Sequence, residues 1–140
     1  MVKNKKKIVI LGSGFAAVEC AKKLEKEFGS NSEIELTMVG EDNFLLFTPM
    51  LPQVASGMIE TRHIVFPIRT ICKKTKFYEG RIKNIDPHGK LITLWGTRDK
   101  RSISINYDFL VVALGSETNF FGMADVEKNA YTMKTLNDAV

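Results

Sequence analysis

Ile8-Val9-Ile10-Leu11-Gly12-Ser13-Gly14-Phe15-Ala16-Ala17 runs from an unbroken apolar tetrad into a turn with two glycines. Apolar residues in succession, without alternation, are the pattern of a strand covered on both faces, as in a parallel sheet. From Phe15 the period changes. Ala17, Cys20, Ala21, Leu24 and Phe28 recur every three or four residues, which predicts a helix over residues 15–28 with one apolar face. Gly29-Ser30-Asn31-Ser32 ends it with turn chemistry, and Ile34-Glu35-Leu36-Thr37-Met38-Val39 reads as a second strand. Strand, glycine turn, helix, strand is one βαβ unit, which sets the fold class as α/β with a parallel sheet.

In that setting Gly12-Ser13-Gly14-Phe15-Ala16-Ala17 matches the dinucleotide fingerprint G-x-G-x-x-A. Each small residue has a physical task. Gly12 permits the tight turn, Gly14 lets the backbone approach a pyrophosphate, and Ala17 lets the helix pack close to the sheet. The phosphates then meet backbone N–H groups at the positive end of the helix dipole. The fingerprint also calls for an acid near the end of the second strand to hold a ribose hydroxyl. Glu41 and Asp42 both stand there, after Gly40, and Glu41 lies nearer the strand end. The bland alternative for both is an ordinary loop acid.

Outward from this unit the pattern is mixed. Residues 43–57 are strongly apolar at Phe44-Leu45-Leu46-Phe47, but Pro49 and Pro52 argue against a regular strand or helix core, so a long apolar covering loop is expected. Phe66-Pro67-Ile68-Arg69 opens a short helix predicted to run to about residue 74. Residues 76–82 are strand-like, 85–90 a turn, 91–95 a strand, 97–101 a charged tip and 102–105 a further strand, together an antiparallel meander. Phe109-Leu110-Val111-Val112-Ala113 is another buried run, halted by Gly115. Residues 135–140 begin like a helix without the usual C-cap signals, which suggests a chain cut before its natural end.

Composition narrows the function classes. In 140 residues, 44% hydrophobic and 26% charged exclude a disordered chain. The net charge of +4 owes much to Lys3, Lys5, Lys6 and Lys7, read as a solvated leader. No basic stripe with interleaved aromatics follows, so a nucleic-acid partner is not expected. No apolar run reaches the roughly 18 residues that span a bilayer, and there is no signal-peptide core. The expected location is cytoplasmic, or the cytoplasmic face of a membrane as a peripheral protein. Cys20 and Cys72 have neither CxxC nor metal-ligand spacing. Cys20 is read as a packing residue, while Lys73 and Lys74 beside Cys72 leave a reactive thiol as the minority alternative. His63 is read as structural and His88 as a turn residue. No metal site is expected, and no residue needs to act as general acid, base or nucleophile.

Four further stretches carry a resemblance. Asn43-Phe44-Leu45-Leu46-Phe47-Thr48-Pro49-Met50-Leu51-Pro52-Gln53-Val54-Ala55-Ser56-Gly57 resembles the flavin-covering segment of type II NADH dehydrogenases, and Arg62-His63-Ile64-Val65-Phe66-Pro67-Ile68-Arg69 the stretch after it. Tyr107-Asp108-Phe109-Leu110-Val111-Val112-Ala113-Leu114-Gly115-Ser116 is similar to that family's second FAD signature, ending in A-x-G. Residues 130–139 resemble its link toward the NAD(P)H domain. The glycine and A-x-G motifs are shared across the wider pyridine nucleotide-disulfide oxidoreductase-like superfamily, and the Phe47-Thr48-Pro49 segment narrows the choice.

The resemblance implies a Rossmann-like FAD-binding domain with an antiparallel β-meander as crossover, residues 1–140 being its N-terminal part. It implies an enzyme that takes electrons from NAD(P)H through FAD to a quinone. Gly12, Gly14, Phe15, Ala16 and Ala17 would cradle the pyrophosphate, and Glu41 would hold the adenosine ribose. Thr48 and Pro49 would lie near the flavin ring, Ile82 would offer backbone groups to the adenine, and Ala113 and Gly115 would close over the cofactor. Where many relatives carry the ribose acid directly after the strand valine this chain has Gly40, so Glu41 takes the role by a one-residue slide. The second glycine fingerprint, the returning segment and the membrane-facing region of the family are not in these residues, which on their own are not expected to turn over. Peripheral membrane association through such regions, and a homodimer, are compatible with the resemblance. Two alternatives stay open: another flavin-dependent reductase (sulfide:quinone or ferredoxin reductase-like), and a non-catalytic nucleotide-binding module. Neither cysteine looks placed for the redox chemistry of the sulfide:quinone enzymes.

Overall fold

A computed structural model describes residues 5–98 and 100–140; of the sequence features singled out above, Lys3 and the Asp99 position of the charged tip lie outside them. In chain order the regular elements are β1 (Lys6–Leu11), α1 (Phe15–Phe28), β2 (Ile34–Gly40), β3 (Phe44–Leu46), α2 (Leu51–Ala55), β4 (Val65–Pro67) and α3 (Ile68–Ile71). They continue with β5 (Lys76–Asp86), β6 (Leu91–Gly96), β7 (Ser102–Asn106), β8 (Phe109–Val112) and α4 (Ala124–Asn129), with 3₁₀ turns at Thr48–Met50, Thr61–His63 and Leu136–Ala139. The chain forms two units: one is the chain up to Leu45 with Pro67–Gly115, the other Leu46–Phe66 with Ser116–Val140.

The first unit is built on a six-stranded sheet in the order β7-β6-β5-β2-β1-β8. β1 pairs in parallel with β2 and with β8, and β2 in parallel with the first part of β5. β5 then changes partners: Thr37↔Lys76 to Gly40↔Glu79 is parallel, and Gly80↔Gly96 to Asp86↔Leu91 is antiparallel, with a bulge between Ile82 and Asn84. The expected parallel sheet and meander are both present, and one long strand belongs to each.

The tetrad in β1 explains the layering. Ile10 points into a cluster with Met38, with Ala17, Val18 and Ala21 of α1, and with Ile68 and Cys72. Val9 and Leu11 point the other way, into a cluster with Val39, Ile92, Leu94 and Tyr107. Val9, Ile10 and Leu11 are all fully buried, each contributing about 2 kcal/mol of apolar burial. The meander therefore covers the sheet face that a helix layer covers in a doubly wound fold.

Several boundaries differ from the sequence reading, each for a local reason. Lys6 and Lys7 are strand residues rather than a solvated leader: Lys6 pairs with Ile34 and Lys7 with Glu35, and the Lys6 ammonium lies 3.3 Å from Asp108. Helix α3 stops at Ile71, short of residue 74, because Glu25 of α1 accepts from the Lys74 N–H at 2.8 Å and the Thr75 hydroxyl at 2.7 Å. β5 runs on to Asp86 because Ile85 packs in the second cluster, and only then does the Asp86 carboxylate accept from the His88 and Gly89 N–H groups at 3.0 and 2.9 Å to close the turn.

The largest correction falls where the chain passes from the first unit into the second. Residues 43–57 are not an irregular loop: they hold β3, a 3₁₀ turn and α2. Pro49 and Pro52 stand in the first turns of these short helices, where a missing N–H costs nothing because it would be unpaired anyway. Leu51 and Val54 enter a small core with Ile64 and Ala139. The 3₁₀ turn at Leu136–Ala139 is closed by a capping box between Thr135 and Asp138. Helix α4 had no periodic apolar signal to reveal it, and none of its residues is buried.

Candidate functional site

The glycine turn joins β1 to α1 at the carboxyl end of the parallel strands, where open α/β sheets place their ligands. Its two glycines differ in kind. Gly12 has φ +114°, its N–H donates to the Val39 carbonyl at 2.7 Å, and a Cβ built on it would strike the Ala113 carbonyl. Ala113 is held there by donating its own N–H to the Leu11 carbonyl at 2.8 Å. Gly14 has φ −82° and ψ −170°, an extended conformation open to any residue, and a Cβ built on it meets nothing within 4 Å.

Helix α1 begins directly after Gly14, with no side-chain cap and no acidic residue in its first turn. Its positive end is thus not neutralised by the protein, the arrangement that attracts an anion. Ala17 is fully buried against the sheet, while Ala16 and Phe15 are exposed along the open side. Gly115 follows β8 with φ +79° and open space around it.

The end of β2 supplies a reason for Gly40 that the sequence did not reveal. A Cβ there would lie 2.7 Å from the Ser13 hydroxyl and 2.8 Å from its Cβ, so Ser13 of the glycine turn rests on the bare strand end. Acidic side chains begin one residue later. Glu41 is exposed, with the Arg81 guanidinium at 3.7 Å. Asp42 has its carboxyl pushed above the ordinary range, first by withdrawal from water and then by the neighbouring carboxylates of Glu41 and Glu79. Glu79 accepts from the Asn43 amide at 3.1 Å and pairs with Arg98 at 3.3 Å.

Ile82 pairs with Leu94 on one edge of β5 and packs its half-buried side chain against the second cluster. β2 has ended at Gly40↔Glu79, so the edge of β5 that faced it carries no strand partner at Ile82. The first unit therefore brings together Gly12, Gly14, Ala17 and Ala113 around one turn, with Glu41 and Ile82 on the elements that follow β2 and Glu79. Thr48 and Pro49 belong to the second unit, where both are exposed at the start of the 3₁₀ turn.

The bland readings of the histidines and cysteines are sharpened. His88 sits in the β5–β6 turn with its N–H on Asp86, and His63 is exposed in a 3₁₀ turn. Cys72 is buried in the first cluster, and burial first, then the Glu25 carboxylate, push its thiol up to about 11. That overturns a reactive Cys72: the lysines next to it in sequence do not govern its environment. Cys20 packs half-buried against the same cluster. Among the described residues no group of histidine, cysteine and acidic side chains could hold a metal ion, and no helix is long and apolar enough to cross a membrane.

Set against known proteins, residues 6–140 match the sequence profile of the pyridine nucleotide-disulphide oxidoreductase family. The chain is 36% identical to an external alternative NAD(P)H-ubiquinone oxidoreductase B2, mitochondrial, of Arabidopsis thaliana, over 97% of this chain and 24% of that protein. It is 35% identical to external NADH-ubiquinone oxidoreductase 2, mitochondrial, of Saccharomyces cerevisiae, over 97% of this chain and 25% of that one. Among solved structures, NDH2 from Plasmodium falciparum in complex with NADH superposes with a TM-score of 0.82 at 26% identity, covering 96% of this chain and 27% of that one. A sulfide:quinone oxidoreductase from Aquifex aeolicus shares the fold, with a TM-score of 0.79 at 24% identity. The chain spans about a quarter of the length of the curated relatives it matches.

Proposed function

The chain belongs to the pyridine nucleotide-disulphide oxidoreductase family, and from that premise we propose that it is the N-terminal FAD-binding part of an enzyme passing electrons from NAD(P)H through FAD to a quinone. The observation that carries the reading is Gly14. Its backbone conformation suits any residue and its surroundings crowd no side chain, so beyond a modest N-cap preference the fold makes no steric demand for a glycine there. A ligand that must come within contact distance of the backbone does make one. The residues fit that ligand: a pyrophosphate is an anion, and the helix end behind Gly14 presents N–H groups with no acid in the first turn.

In this reading Gly12, Gly14, Phe15, Ala16 and Ala17 hold the pyrophosphate, and Gly12 keeps the turn tight against Ala113. Glu41 accepts from the adenosine ribose hydroxyls, its one-residue offset following from Ser13 resting on Gly40. The β5 edge at Ile82 meets the adenine, Ala113 and Gly115 border the cofactor, and Thr48 and Pro49 approach the flavin ring. FAD, when bound, supplies two-electron acceptance and release; the protein supplies position and field. The quinone acceptor is supported by the names of the relatives, which are NAD(P)H- and NADH-ubiquinone oxidoreductases. Peripheral attachment to a membrane and a homodimer belong to the same proposal.

The test is FAD titration of the chain and of the longer protein that carries it, followed by quenching of flavin fluorescence. The wild type is expected to bind and Gly14→Val to lose FAD while keeping its thermal midpoint close to that of the wild type. Full flavin occupancy in Gly14→Val would falsify the assignment.

A further inference from the structure

We infer that Arg81 is the positioning residue for the ribose-binding acid, fixing the direction of the Glu41 carboxylate toward the open edge of β5. The inference rests on the proposed dinucleotide site and adds a residue to it. Glu41 stands in the bend between β2 and β3 rather than on a strand, and its side chain is 68% exposed. The backbone of a bend does not aim a long, exposed side chain. An acid at residue 40 would be aimed by β2 itself, but a Cβ there would strike Ser13. Placing the acid one residue further out gives up the orientation that the strand supplies.

Arg81 supplies a fixed point. Its backbone lies in β5, paired with Trp95 of β6, just past the register where β2 ends at Gly40↔Glu79. Its Nε comes to 3.7 Å from Glu41 Oε1. The charges around Glu41 push the same way. After withdrawal from water, the nearby carboxylates of Glu41 and Glu79 raise the Asp42 carboxyl, so three acids share this corner. Glu79 is engaged by Arg98 at 3.3 Å and by the Asn43 amide at 3.1 Å. Asp42 repels the Glu41 carboxylate and Arg81 attracts it, which turns it toward β5. At 3.7 Å the pair is longer than a hydrogen bond, so the carboxylate oxygens keep their capacity to accept from a ligand. Both partners are exposed, which makes the pair worth little to the fold and leaves direction as its contribution. Arg81 adjoins Ile82, where the edge of β5 carries no strand partner and where the proposed function sets the adenosine.

The experiment titrates ADP and 2′,3′-dideoxy-ADP into the FAD-free 140-residue chain by calorimetry. The two probes share pyrophosphate and adenine and differ only in the ribose hydroxyls. The wild type should prefer ADP roughly tenfold, the worth of a charge-assisted hydrogen bond. Arg81→Gln should cut that preference to about threefold, the size of one exposed ion pair, and leave dideoxy-ADP binding unchanged. Arg81→Lys should keep most of the preference. Glu41→Ala should abolish it, and adding Arg81→Gln to Glu41→Ala should change nothing more. Each variant should keep the wild-type thermal midpoint. Full preference in Arg81→Gln, equal weakening of both probes, or a further loss in the Glu41→Ala background would overturn the inference. An unfolded Arg81→Gln would overturn it too, by making the pair structural. A wild-type chain that binds neither ADP nor FAD refutes the proposed function and this inference with it. One that binds both and ignores Arg81→Gln refutes this inference alone.

Discussion

At the amino end of the parallel strands the first unit is latched. Asp108, just before β8, accepts from the Lys7 N–H at 2.8 Å and pairs with the Lys6 ammonium at 3.3 Å, while Lys76 at the start of β5 meets Glu35 of β2 at 2.7 Å. At the carboxyl end the same strands finish in glycines. Gly12 is walled in by Ala113, Gly40 lies under Ser13, and Gly14 and Gly115 face open space. One end spends its polar groups on holding strands together; the other keeps a helix terminus uncapped and a patch of bare backbone clear. The difference teaches that closeness to the motif does not make a glycine functional. Gly12 and Gly40 are required by backbone or side chains packed against them, and Gly14 is crowded by none.

The strongest way to break this comparison is Gly12→Val. A positive φ and a collision with backbone that cannot move aside should cost about 3 kcal/mol or more, read as a lowered denaturant midpoint; a stable variant would mean that the turn is not walled as described. Next is Gly40→Ala, for which about 1–2 kcal/mol is expected from crowding Ser13. Most of that should return in the double variant Ser13→Gly with Gly40→Ala, because the obstacle is a side chain; additive losses would place the clash elsewhere.

Asp108→Asn addresses the latched end through pH. The Lys7 N–H, and then the Lys6 ammonium, hold the Asp108 carboxyl below its ordinary range. A depressed pKa adds stability above the unfolded-state value of about 4 and loses it as pH falls through the lower folded value. Asn at this position should therefore weaken the protein at neutral pH and flatten the acid limb of its stability curve; parallel wild-type and variant curves would remove Asp108 from the latch. Smallest in stability is Gly14→Val, expected to cost about 1 kcal/mol or less, the difference between glycine and valine at a helix N-cap, despite its loss of FAD. A Gly14→Val destabilised as much as Gly12→Val would erase the contrast.

The sequence was most legible where one local pattern decided the outcome. The β1 tetrad, the helix that ends at Phe28 and the glycine turn came out where the period and the punctuation put them, because each depends on neighbours within a few residues. The expectation fails where proline stands in for a breaker. At Pro49 and Pro52 the same missing N–H that ends a helix is harmless in its first turn, and only the core around Leu51 and Val54 shows that helical turns are wanted there. At Cys72 only the minority alternative of a reactive thiol falls: Lys73 and Lys74 are its neighbours in sequence, but burial first and then Glu25, 47 residues away in the chain, push its thiol up.

By itself the sequence determined the βαβ unit and the place of the glycine turn, since hydrophobic period and glycine spacing are short-range properties written in consecutive residues; the family showed through the resemblance of longer stretches. Tertiary structure alone decided which glycine is walled and which is open, why residue 40 carries no side chain, and that β5 serves two sheet directions. These depend on strands far apart in the chain arriving side by side: Ala113 against Gly12, Ser13 over Gly40, Glu79 beside Gly40. Contacts of that range are fixed by register and packing, which no local spacing encodes.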